Sequence, residues 1–120
     1  MSLDTQKHIA ELDQLIGSLA IVAGRQNTPE SETFFTTQKD KAEILQAMLK
    51  RYPSWSCSDF EIALTHASEL HGVCEGLESV VSRPSGAEFW QGQIQSLLGL
   101  SDHFQDKKDQ LINQLIPCPE

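Results

Sequence analysis

Apolar residues recur along this chain in steps of three and four, and no useful stretch alternates in steps of two. Between residues 3 and 24 the series is Ile9, Leu12, Ile16, Leu19 and Ala23, widened by Leu15 and Val22. That is the period of an amphipathic helix. Gly24 stands where a helix-ending glycine is expected. Thr28-Pro29 then offers a capping hydroxyl and a proline preset for the first helical position. A second helix is expected over 29–52, with Phe35, Ala42, Leu45, Leu49 and Tyr52 as its stripe and Phe34 and Met48 beside it. Its acids, Glu30 and Glu32, lie early and its cations, Lys50 and Arg51, lie late, the order that the helix dipole favours. Thr33, Thr36 and Thr37 weaken its middle, where a break is expected.

Pro53 ends that stretch, and Ser54-Trp55-Ser56-Cys57 forms a connector. Ser58 and Glu61 match a capping box, so a third helix is expected over 58–82, carrying Phe60, Leu64, Ala67, Cys74, Leu77 and Val81. Ser85 and Glu88 match another, opening a fourth helix over 86–116. Trp90, Ile94, Leu97, Phe104, Leu111 and Leu115 keep heptad phase there, interrupted at Ser101 and Lys108. Four amphipathic helices with short connectors predict an all-α, antiparallel up-down four-helix bundle forming a single domain over 1–120.

Five of the seven glycines, Gly17, Gly72, Gly76, Gly92 and Gly99, fall inside these helices. Each costs roughly 1 kcal/mol relative to alanine. They lie in small-residue rows: Ser68, Gly72 and Gly76; Gly92, Ser96 and Gly99; Gly17, Ala20 and Gly24. Three readings account for such rows. Two helices of one molecule approach closely there, or the rows edge a groove where another helix docks, or the helices open and rewrap around a client.

The net charge of −8 argues against a nucleic-acid binder and favours basic protein partners. No Lys or Arg occurs from Tyr52 through Ser82, while Asp59, Glu61, Glu69, Glu75 and Glu78 do. An acidic third helix is therefore expected to steer a basic partner; weak mimicry of DNA phosphates is a thinner alternative. No apolar run approaches the roughly 20 residues of a membrane span. The first residues lack a basic stretch followed by an apolar block, so no secretory signal is expected. Cys57, Cys74 and Cys118 are odd in number and lack CxxC spacing, which fits free thiols in a reducing compartment. Cys74 reads as core, Cys57 as the accessible one, and the default location is cytoplasmic.

Motifs for chemistry are sparse. There is no GxSxG elbow and no phosphate loop, and no cofactor is expected. His71 and Glu75 lie one turn apart, as do His66 and Glu69, but a bundle metal centre needs several such pairs on facing helices. The expectation is a non-enzymatic protein-binding module: a small chaperone, adaptor, inhibitor or regulatory subunit. Its candidate partner-binding residues are Trp55, Glu69, Gly72, Glu75, Gly76 and Trp90. The rivals are a metal-binding or catalytic bundle using His71 and Glu75 with His66 or His103, and a homodimer built on the third helix.

Overall fold

In the computed structural model three of the four helices begin where a side chain takes up free backbone amides. Helix α1 (Thr5–Gly24) starts after Asp4, whose carboxylate accepts from the Lys7 amide at 3.1 Å. Helix α2 (Pro29–Arg51) starts after Thr28, whose Oγ1 accepts from the Ser31 amide at 3.2 Å, with Pro29 in the first turn as expected. It runs unbroken through Thr33, Thr36 and Thr37, so the expected break is absent. Helix α3 (Cys57–Val80) and helix α4 (Pro84–Asn113) complete the set. The structure describes residues 4–113 except 53 and 82, with side chains to residue 110. The expected features at Pro53, Leu115 and Cys118 lie outside the described residues, as does the side chain of Leu111.

Two helix starts differ from expectation. The capping box of α3 is Ser56 with Asp59, not Ser58 with Glu61. Asp59 Oδ2 accepts from the Ser56 amide at 2.9 Å, and Ser56 Oγ accepts from the Asp59 amide at 3.3 Å. The shorter acid closes the box because it sits three residues after a serine whose backbone is extended. The box at Ser85 and Glu88 does not form, because α4 already starts at Pro84 and Ser85 is helical. Gly24 is the last helical residue of α1 rather than a left-handed cap; Arg25 follows it with φ −98°.

Cross-links between helices fix their directions. Gln46 on α2 donates to the Ile9 carbonyl on α1 at 3.0 Å. Lys41 on α2 pairs with Glu69 on α3. Lys108 on α4 pairs with Glu61 on α3 at 3.2 Å, while Gln91 donates to Glu78 at 3.3 Å. Gln93 on α4 donates to the Glu11 carbonyl on α1 at 3.2 Å, and His8 shares a hydrogen bond with Ser96 at 3.0 Å. Early α1 meets late α2, and from α3 to α4 and from α1 to α4 the residue numbers rise on one helix as they fall on the other, so the bundle is antiparallel and up-down.

The packing is uneven. α1 with α2 and α3 with α4 form two tight hairpins, while the backbones of α1 and α4 stand farther apart and are linked through side chains. The extents are 49 × 29 × 22 Å, the longest close to the roughly 45 Å of a 30-residue helix. The radius of gyration, 15.2 Å, exceeds the roughly 13.6 Å of a compact chain of this length.

One core runs through the molecule, built from Leu12, Leu15 and Leu19 of α1, Ala42, Leu45 and Leu49 of α2, Leu70 and Cys74 of α3, and Leu97, Leu100 and Phe104 of α4. At one end Tyr52, Trp55, Phe60 and Phe104 cluster with ring centroids 4.9–6.4 Å apart. The Trp55 indole N–H donates to the Met48 carbonyl at 2.8 Å, satisfying a late carbonyl of α2. Cys74 is a free, buried thiol, as expected. Cys57 corrects the free-thiol expectation: it is buried at the first position of α3 and disulfide-bonded.

A candidate partner-binding groove between α2 and α3

The first half of α2 and the second half of α3 stand apart, leaving a groove of about 690 Å³. On α2 its wall is Phe34, Phe35, Gln38 and Lys41; on α3 it is Glu69, Gly72, Val73, Gly76, Leu77 and Val80. Steps of three and four bring each set onto one helix face. The groove exists because of what α3 omits. A Cβ built on Gly72 or Gly76 meets nothing within 4 Å. Side chains of ordinary size at both positions would occupy this space.

That observation removes the first of the three readings of the small-residue rows, close approach of two helices within the molecule. Gly17, Gly92 and Gly99 also have nothing within 4 Å of an added Cβ. Close approach of helix backbones within the molecule is therefore not what these glycines serve. Their cost in helix propensity is unrecovered inside the molecule.

The lining is apolar and partly in water. Phe34 is 49% exposed and Val80 is 76% exposed. Phe34 and Phe35 meet edge to face, centroids 5.1 Å apart, so only Phe35 turns toward the core. Across one end Lys41 and Glu69 bridge the two helices. The Lys41 hydrogen bond, against an opposing desolvation, holds the Glu69 carboxyl below its ordinary range. Beside the bridge His66 is partly buried, its Nδ1 lacks a partner, and burial lowers its pKa. Gln38 is only 5% exposed, and its Oε1 is buried without a hydrogen-bond partner. An unpaired buried amide oxygen costs about 1–3 kcal/mol.

The sequence-derived candidates divide. Glu69, Gly72 and Gly76 line this groove. Glu75 is exposed on the same helix and pairs with His71 at 3.2 Å. Trp90, expected at an accessible surface, is 7% exposed and belongs to the core. Trp55 is half-buried in the aromatic cluster at the other end of α2. Trp90 lies on the core stripe of α4, whereas Trp55 folds back from the connector onto Phe60 and Phe104. Gln38, Phe34 and Val80 were not picked out as site residues. Gln38 carried a signal, a polar residue four positions before Ala42 on the apolar stripe.

His71 opens onto a second, more polar depression of about 580 Å³ between α3 and α4, with Ser68, Ser101 and Asp102. His103 is engaged elsewhere: its Nε2 shares a hydrogen bond with the Tyr52 hydroxyl at 2.8 Å. Burial raises the pKa of Tyr52 and lowers that of His103, so both partners stay neutral. Among the described residues no three His, Cys, Asp or Glu side chains gather as a metal centre requires. No helix of the described residues is long and apolar enough to cross a membrane. Comparison with protein-family models, with curated proteins and with solved structures finds no match.

Proposed function

We propose that this chain is a non-enzymatic protein-binding module whose contact surface is the α2–α3 groove. The observation that carries this reading is the pair of open glycines, Gly72 and Gly76, which leave apolar walls without a filling from the molecule itself. Keeping two helix-weakening residues at the floor of an apolar groove is a loss of stability that a bound partner can return. A small chaperone, adaptor, inhibitor or regulatory subunit has this anatomy. The catalytic or metal-centre alternative draws less support, because His71 faces away from this groove and His103 is held by Tyr52.

Affinity capture with two baits tests the proposal. Wild-type protein and Gly76→Leu are immobilised side by side and exposed to native lysate. Proteins retained by the wild type and lost with the variant are expected. Identical recoveries from both baits would sink the reading, provided circular dichroism shows the variant folded.

A further inference from the structure

The geometry points to one kind of occupant for the groove: an amphipathic helix of another protein, apolar along one stripe and flanked by Lys and Arg. This deepens the protein-binding reading and depends on it.

Shape comes first. The α3 wall extends from Glu69 to Val80, about 16 Å or three helical turns. A helix laid in such a trough presents anchors at i, i+3 or i+4, and i+7. Gly72 and Gly76 leave space below for those anchors, and Phe34 and Val80 stand out of the molecule to flank them. Along α3, Ile62, 45% exposed, lies on the same face as Val73 and Val80, so the apolar strip continues past the Lys41–Glu69 bridge.

A second observation is independent of the glycines. Gln38 lines the groove, is more than nine-tenths buried, and its Oε1 has no partner. A guest that brings an N–H, such as the indole of a Trp anchor, would supply the missing donor after a small turn of the carboxamide.

Charge selects the flanks. The one cation in the lining, Lys41, is already paired with Glu69. The α3 helix that walls the groove also carries Glu75 and Glu78, and Glu30 is exposed one turn before Phe34 on α2. No Lys or Arg follows on α3. Acidic margins attract a basic guest and disfavour a second copy of this chain, whose own net charge is −8. They equally disfavour an anionic lipid headgroup.

The test uses the full chain and a synthetic 18-residue helix with Leu and one Trp on a single face and Lys elsewhere. A control peptide keeps the apolar face and replaces Lys by Glu. Fluorescence anisotropy of labelled peptide is expected to give at least tenfold tighter binding for the Lys peptide, weakening as salt rises. Gly76→Leu and the surface variant Val80→Lys each lower affinity for the Lys peptide at least tenfold without changing helical content. Gln38→Leu raises the melting temperature yet weakens the Trp peptide several-fold, a combination that a purely structural glutamine would not give. Equal binding of both peptides, blocked by Gly76→Leu, overturns the basic-helix inference and leaves the groove reading standing. Binding that ignores Gly76→Leu, or no binding of either peptide, overturns the inference as well. So does a dimer in sedimentation velocity that Gly76→Leu dissociates, which assigns the groove to a second copy. Attachment to phosphatidylcholine vesicles in preference to the Lys peptide overturns it in favour of lipid.

Discussion

Gly17 and Gly86 show how the same residue answers to opposite surroundings. A Cβ at Gly17 meets nothing within 4 Å, whereas one at Gly86 falls 2.6 Å from the Cγ1 of Val81. Gly17→Ala is expected to stabilise the fold by about 0.5–1 kcal/mol through helix propensity alone. Gly86→Ala is expected to bring no gain or a loss, because a β-branched neighbour must move. Urea midpoints of the two variants check this; equal gains would contradict the packing around Val81. Cys74 makes a second case at this scale. Burial pushes its thiol up to about 12, so no thiolate is on hand at neutral pH. Alkylation of Cys74 by iodoacetamide is expected to follow global unfolding, and fast labelling of the folded protein would count against the core position.

Among the elements, the junction between α2 and α3 concentrates several interactions in few residues. Ser56 and Asp59 cap α3, and Trp55 ties the connector to Met48. Ser56→Ala is expected to lower stability by about 0.5–2 kcal/mol. Ser58→Ala touches only the Ser56 hydroxyl, 3.0 Å away, and is expected to change it by less than about 0.5 kcal/mol. Denaturant unfolding of both separates the two serines as caps. The same junction shows where sequence reading succeeds and where it slips. Helix existence was legible because Leu12, Leu15, Leu19, Leu45 and Leu49 keep the helical period and are all buried. The start of α3 was not, because two serines stand two residues apart, each with an acid three positions on, and only backbone geometry chooses between them. The groove was half legible. The small-residue row named Gly72 and Gly76, but periodicity records which side chains share a face and not how far apart two helices stand. Trp90 keeps the heptad phase of Ile94 and Leu97 and is buried with them, while its neighbour Phe89 takes the half-buried edge of the stripe.

For the whole molecule, three histidines set a dependence on pH. Burial is the leading cause of a lowered pKa at His8, His66 and His103. Around them stand Glu11, Lys7 and Asp4 for His8, Glu69 and Lys41 for His66, and Lys107 and Asp106 for His103. Above the ordinary value of 6.5 both folded and unfolded forms are neutral. As the pH falls through 6.5 the unfolded chain takes up protons first, so stability declines until the folded pKa values are reached. Glu69, with its lowered pKa, adds a further loss as the pH drops below 4.5. Unfolding in urea at pH 7.5 and 5.5 is expected to give the lower stability at 5.5, with a smaller difference in His66→Gln; a flat response would contradict the buried histidines. The pairing of α1 with α2 and of α3 with α4 bears on how the chain reaches this state. Neighbours in sequence are neighbours in space, so little loop entropy opposes folding, and millisecond or faster kinetics follow. During synthesis the α1–α2 pair can zip as soon as it leaves the ribosome. For that interval the side of α2 bearing Gln38 stands bare to any chaperone before α3 exists to meet it.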